Sequence, residues 1–127
     1  MTDALQELRD SITGSLLEVL ESLDAQIGEY RRTEDPDLIL LDSMVADAIM
    51  FIASLPDLIT LPSVVIAEDG QIMFEWNISQ SRRCVVSLEG DGYYDYHMKR
   101  GKDFYPGCYE GRIMEELPED LAEYLGR

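Results

Sequence analysis

The stretch from Leu61 to Gly101 leaves this chain few options: four β-strand patterns follow one another, separated by three turn signals, with no room between them for a helix. Ser63-Val64-Val65-Ile66-Ala67 is a β-branched run, Glu68-Asp69-Gly70 is a turn, and Gln71 to Asn77 alternates with period two, so Ile72, Phe74 and Trp76 share a face. After a polar turn, Asn77 to Arg82, the segment Arg83 to Leu88 puts Cys84, Val86 and Leu88 together. Beyond Glu89-Gly90-Asp91-Gly92 the same alternation groups Tyr94, Tyr96 and Met98. Three of the strands thus offer one apolar face each.

Parity constrains how these strands pair, because directly opposed residues must point to the same face. For Val86 to oppose Tyr94 and Cys84 to oppose Tyr96, the loop after Leu88 needs an odd number of residues, which predicts a three-residue loop, Glu89 to Asp91, or a bulged equivalent. The same rule pairs Phe74 with Val86 and Trp76 with Cys84. In the first hairpin, Glu68-Asp69-Gly70 fits a three-residue loop with Gly70 in the left-handed conformation, placing Val64 and Ile66 on the common face. A two-residue Asp69-Gly70 turn is the alternative.

The block Pro62-x-Val64, Asp69-Gly70-x-Ile72-x-x-Glu75-Trp76, then Val85-x-Ser87 and a Gly-rich turn before an aromatic strand, resembles a loose group of small uncharacterised bacterial proteins. The resemblance runs from Pro62 to about Met98, rests mainly on hairpin chemistry and implies no activity for any residue.

The sheet needs cover, and the N-terminal half supplies it. Leu5, Leu8, Ile12, Leu16, Leu20, Leu23, Ile27 and Tyr30 recur in steps of three or four, predicting one long amphipathic helix from Thr2 to about Arg32, capped by Thr2 or Asp3. Gly14 interrupts it, at a cost of about 1 kcal/mol relative to alanine, and marks a kink or a close backbone contact. The opposite face carries Glu7, Asp10, Glu18, Glu21 and Asp24 without neighbouring cations to balance them, an acidic ridge. Asp35-Pro36 starts a second predicted helix, Pro36 to Ser54, whose polar stripe is narrow: Asp37, Asp42, Ser43, Asp47 and Ser54. Such a helix is buried on more than one side, either between helix one and the sheet or in a subunit interface. The connector from Leu55 to Pro62 holds two prolines and reads as extended. After Gly101 come an aromatic, turn-rich segment with short-edge-strand character and a C-terminal helix over residues 117–125, with Pro118 in its first turn.

The fold expectation is therefore α+β: two N-terminal helices packed on a four-stranded antiparallel meander, with a short C-terminal helix. At 127 residues the chain reads as one domain, with 1–55 a helical hairpin, 62–101 the sheet, and 102–127 an aromatic loop and short helix.

Charge narrows the function classes. With 26 acidic against 10 basic residues the net charge is −16, which opposes direct binding to nucleic acid or to anionic membranes and favours a basic partner. The excess is larger than the magnitude of about 2–8 that keeps a small domain in solution. It is also uneven: residues 1–62 hold 13 acids and 3 bases, residues 63–127 hold 13 acids and 7 bases. Two cysteines, Cys84 on a strand face and Cys108 in a loop, make neither a disulfide framework nor a zinc motif. No leader pattern or membrane-length apolar run is present, so the expected setting is the cytoplasm, with no membrane association.

Catalytic chemistry has little to work with. His97 is the only histidine, and parity puts it on the outer sheet face beside Arg83, Asp95 and Lys99. An enzyme would have to use it with Arg83, Asp95 or the nearby tyrosines; the simpler reading is an exposed strand residue. Gly90-x-Gly92 lacks the helix start and lysine of a phosphate cradle, and Asp91, Asp95 and Asp103 miss calcium-loop spacing, so no metal or cofactor is expected. Tyr93, Tyr105 and Tyr109 belong to a dense aromatic cluster whose members outside the core suit a protein interface. The expected function is a small acidic protein-binding module, not an enzyme, that neutralises or accompanies a basic partner such as a nuclease or another nucleic-acid-binding protein. An antitoxin, an immunity protein and a phage-type anti-defence protein that mimics DNA all have this character, and helix two also suits a homodimer. The candidate binding residues are Glu7, Asp10, Glu18, Glu21 and Asp24 with Tyr93, Tyr105 and Tyr109.

Overall fold

A computed structural model describes residues 4–32, 42–55, 61–79, 82–100, 103–104, 109–113 and 115–125, with the backbone alone described at 100, 103, 104 and 109. The architecture is α+β with an antiparallel sheet, and it departs from expectation at both the helices and the sheet width.

The expected single N-terminal helix is two, α1 (Ala4–Ser11) and α2 (Ser15–Arg32). Gly14 divides them with φ of +64°, a conformation that glycine adopts without the Cβ penalty of other residues. The apolar steps run on across the break because the intervening turn keeps Ile12 on the buried side, which is why periodicity alone reads as one helix. At the end of α1 the Ile12 N–H donates to the Arg9 carbonyl at 3.1 Å and the Ser11 hydroxyl to the Leu8 carbonyl at 2.6 Å, satisfying groups a helix end otherwise leaves open. The Gly14 carbonyl then accepts the Leu17 N–H at 3.1 Å, starting α2. Helix α1 packs on α3 (Asp42–Ser54), whereas α2 runs against the first strand. The expected start of that third helix at Asp35-Pro36, and the proline connector over residues 56–60, lie outside the described residues.

Six strands pair antiparallel: β1 (Ser63–Ile66), β2 (Ile72–Ser79), β3 (Arg82–Leu88), β4 (Tyr93–Arg100), β5 (Asp103–Phe104) and β6 (Tyr109–Arg112). The first four form the expected meander. It is wider than four strands, because β5 and β6 both pair with the far edge of β4, at opposite ends of it. The aromatic segment thus supplies two short strands rather than one. At the first hairpin the Ala67 N–H donates to the Gln71 carbonyl at 2.9 Å, closing a three-residue loop in which Gly70 has φ of +87°. Phe74 opposes Val86 and Trp76 opposes Cys84, as parity requires.

The β3–β4 register differs from expectation by two residues: Val86 opposes Tyr96 and Cys84 opposes Met98. The loop is again three residues long, but it is Gly90-Asp91-Gly92, closed by the Glu89 N–H on the Tyr93 carbonyl at 3.2 Å. Two causes act together. Gly90 and Gly92 both take positive φ, +82° and +91°, so the turn centres on the glycine pair. The Gly92 N–H also donates to the Asp47 carboxylate on α3 at 2.9 Å. Asp47 accordingly leaves the polar stripe expected of it: it is the one charged residue buried among those described, and its partner comes from the sheet.

The core is continuous between helices and sheet. Ile72, Phe74, Trp76, Cys84, Val86 and Leu88 are fully buried on the inner face, with Tyr94, Tyr96 and Met98 nearly so, and Phe51 of α3 meets them, its ring centroid 4.9 Å from that of Phe74 and 5.1 Å from that of Tyr94. Helix α3 is therefore sandwiched between helix and sheet, the first of the two burial modes its composition allowed. Helix α4 (Glu119–Leu125) closes the opposite end of the meander, starting just after Pro118, whose carbonyl accepts the Ala122 N–H at 2.9 Å. It buries Leu121 and Leu125. Its Tyr124 hydroxyl donates to the Arg83 and Lys99 carbonyls, while the Arg82 guanidinium lies 4.7 Å over the Tyr124 ring and donates to its carbonyl at 3.0 Å.

Candidate binding surface

Carboxylates stand on the helical side and on the outer face of the sheet. On the helical side, Glu7 and Asp10 of α1 and Glu18 and Glu21 of α2 are exposed, but the break at Gly14 separates the two pairs, so they do not form one continuous ridge. Nor is that face without cations. Arg9 of α1 reaches Asp24 of α2 at 2.6 Å, bracing the two helices and removing Asp24 from the unpaired set. Asp10 accepts a hydrogen bond from Gln6 at 3.0 Å.

The outer face of the sheet is the second surface. Residues of one parity point there, and the register sets them in rows. Val65, Met73, Ser87, Asp95 and Glu110 lie side by side across β1, β2, β3, β4 and β6. The next row, toward β5, holds Ser63, Glu75, Val85 and His97, and the one beyond it Asn77, Arg83 and Lys99. At the hairpin end stand Glu89 and Tyr93, with the Arg112 guanidinium 5.2 Å above the Tyr93 ring. The face is unevenly charged along the strands: Glu89, Asp91, Asp95 and Glu110 gather at the β3–β4 hairpin with Arg112, which pairs with Glu115, while Arg83 and Lys99 stand at the far end.

Crowding at the hairpin end bears on the Glu89 carboxyl. Glu89 shares a hydrogen bond with Asp95, and that bond, the Asp95 charge and the further charges of Asp91 and Glu110 push the Glu89 carboxyl above its ordinary range. Ionising Glu89 so close to the Asp95 carboxylate therefore carries a cost.

Of the eight candidate binding residues, Glu7, Asp10, Glu18 and Glu21 are displayed on the helices and Asp24 is paired. Tyr93 is half-buried on the outer sheet face, away from the helical acids rather than beside them. Tyr105 lies outside the described residues, and Tyr109 is placed by its backbone alone, opposite Tyr96. His97 is exposed on the outer face, as parity predicts. Among the described residues no group of three or more His, Cys, Asp or Glu side chains is arranged to hold a metal ion. Cys84 is buried, its thiol pushed up to about 12 by burial. No described helix is long and apolar enough to cross a membrane.

The chain matches no family model, no curated protein and no solved structure. What it can do is therefore argued from its surfaces.

The crowded end, Glu89, Asp91, Asp95 and Glu110, goes unseen in the linear pattern because its members come from the β3–β4 connection, from β4 and from β6, which is distant in sequence. The one sequence signal for it was the parity that placed Asp95 outward.

Proposed function

We propose that this chain is a protein-binding module that docks on a basic protein surface and neutralises or accompanies its owner, as an antitoxin, immunity or anti-defence protein does. The observation that carries the reading is the crowding around Glu89. A merely solvated acidic surface spreads its charges, because like charges set close together cost folding stability; here four carboxylates converge, the cation at that end, Arg112, lies over the Tyr93 ring and pairs with Glu115, and Arg83 and Lys99 sit at the other end. A basic partner relieves that repulsion on binding, and the net charge of −16 steers it in. The natural target is a protein whose own ligand is polyanionic, such as a nuclease, with carboxylates taking the place of phosphates. Binding, not turnover, is the activity, and His97 is dispensable to it.

Capture from host lysate on the immobilised chain, followed by association kinetics with the purified partner, tests this. The association rate should fall steeply as salt rises, with the dissociation rate changing less, because screening acts over about 10 Å at 0.1 M salt and mainly on encounter. A partner that is neutral or acidic, or an association rate indifferent to salt, would overturn the proposal. So would loss of activity in His97→Ala with binding intact.

A further inference from the structure

We infer that the docking surface is the outer face of the sheet, and that its occupant is a cationic amphipathic segment of the partner lying along β3. The inference rests on the binding reading above and gives it a place and a ligand chemistry.

The row Val65–Met73–Ser87–Asp95–Glu110 runs from apolar to acidic across five strands. Neighbouring strands are about 4.8 Å apart, so the half-buried Val65 at one side and Asp95 at the other are separated by about 14 Å, close to the diameter of about 10–12 Å of a helix with its side chains. Between them β3 presents Ser87 and Val85, small side chains that let a rod settle, before Arg83 at the far end. The helices reach the sheet through its inner face and the β1 side, and no described helix packs on the outer one.

Charge decides among occupants. At the hairpin end a segment along β3 turns one flank to Val65 and Met73 and the other to Asp95 and Glu110, so there it must be apolar on one side and cationic on the other; Glu75, one row further on, adds an acid to the first flank. Its cations belong at the hairpin end, over Glu89, Asp91, Asp95 and Glu110, where the local cation, Arg112, is already paired with Glu115, and not at the far end, where Arg83 and Lys99 repel them. That polarity fixes the direction in which the segment lies. A neutral or acidic segment would strip water from the carboxylates and return nothing. A second copy of this chain would bring another net charge of −16, and nucleic acid would bring phosphates to the same carboxylates.

The test uses the full-length isotope-labelled chain and an 18-residue synthetic helix with leucine on one side and lysine on the other, titrated at 0.15 M salt and followed by amide chemical shifts. Shifts should concentrate at Met73, Val85, Ser87 and Asp95. Asp95→Asn with Glu110→Gln should weaken binding by about tenfold, corresponding to the loss of roughly 1.4 kcal/mol, whereas Glu18→Gln with Glu21→Gln should leave it unchanged. A control helix with glutamate replacing lysine should not bind. Shifts that follow α1 and α2, with the Glu18/Glu21 variant as the weakened one, would overturn the inference and leave the binding reading standing. So would a captured partner whose association ignores Asp95→Asn with Glu110→Gln. Absence of any lysine-helix binding, or equal binding of the glutamate helix, also overturns the assignment of surface and ligand; the binding reading itself falls only with the lysate experiment.

Discussion

Glu89 shows what a single side chain contributes to the acidic character of the molecule. Its pKa is raised in the folded chain by the Asp95 hydrogen bond and by surrounding carboxylates, so folding favours its protonated form. Below its ordinary value of 4.5 both folded and unfolded chains hold the proton and no penalty arises; as pH rises through that value and on past the folded one, the unfolded chain ionises first and stability is lost. Glu89→Gln should therefore raise the urea midpoint at pH 7 while leaving it nearly unchanged at pH 4, and the gain should shrink in high salt because the site is exposed. Equal midpoints at pH 7 would mean that the carboxylates do not feel one another. Cys84 is the opposite case: burial holds its thiol up to about 12, so little thiolate forms and reagents cannot reach it. Iodoacetamide labelling of Cys84, followed by mass spectrometry across a urea series at pH 8, should trace the unfolding curve, and labelling without urea would contradict its burial.

At the scale of elements, the two discriminating substitutions lie in α1–α2 and β2. Gly14→Ala should destabilise by about 1–2 kcal/mol, since φ of +64° carries a Cβ penalty there; in a continuous helix the same change would have stabilised. Trp76→Ala and Phe74→Ala should each cost about 3–5 kcal/mol, and Met73→Ala, on the other face, clearly less. Equal losses at 73 and 74 in urea titrations would mean the face is wrongly assigned. The faces of these strands were legible in the sequence because period-two alternation is a local property: Ile72, Phe74, Trp76, Cys84, Val86 and Leu88 all fall inward as read. What was not legible is set by contacts between distant residues. The break at Gly14 hides because Ile12 keeps the apolar spacing across it. The β3–β4 register slips by two because a two-residue shift preserves every face, and parity is blind to it. Of the two strands that widen the sheet, one was anticipated by the edge-strand character of the aromatic segment and the second escapes because β5 is only two residues long. The acidic candidates fared similarly: exposure of Glu18 and Glu21 follows from helix phase, whereas the Arg9–Asp24 pair depends on two helices folding back on each other.

The whole molecule carries a net charge of −16, and the ion pairs Arg9–Asp24, Arg31–Asp42 and Arg112–Glu115 are all at least partly exposed. Self-repulsion should then outweigh pairing, so salt screens a net cost and not a net gain. The urea midpoint should rise between 0.01 and 0.5 M sodium chloride, by contrast with a fold held by ion pairs; a falling midpoint would show that attractive pairs dominate. One contact reaches across this scale. Asp47 and Gly92 stand 45 residues apart, yet their hydrogen bond belongs to the turn that fixes the β3–β4 register. An excised hairpin covering residues 82–100 keeps its glycines and its apolar face but loses that acceptor, and either of two alignments differing by two residues buries the same side chains. The glycine pair favours one turn locally, and the Asp47 carboxylate on α3 accepts the Gly92 N–H in that alignment, so the helix acts as a gauge against which the strands are measured.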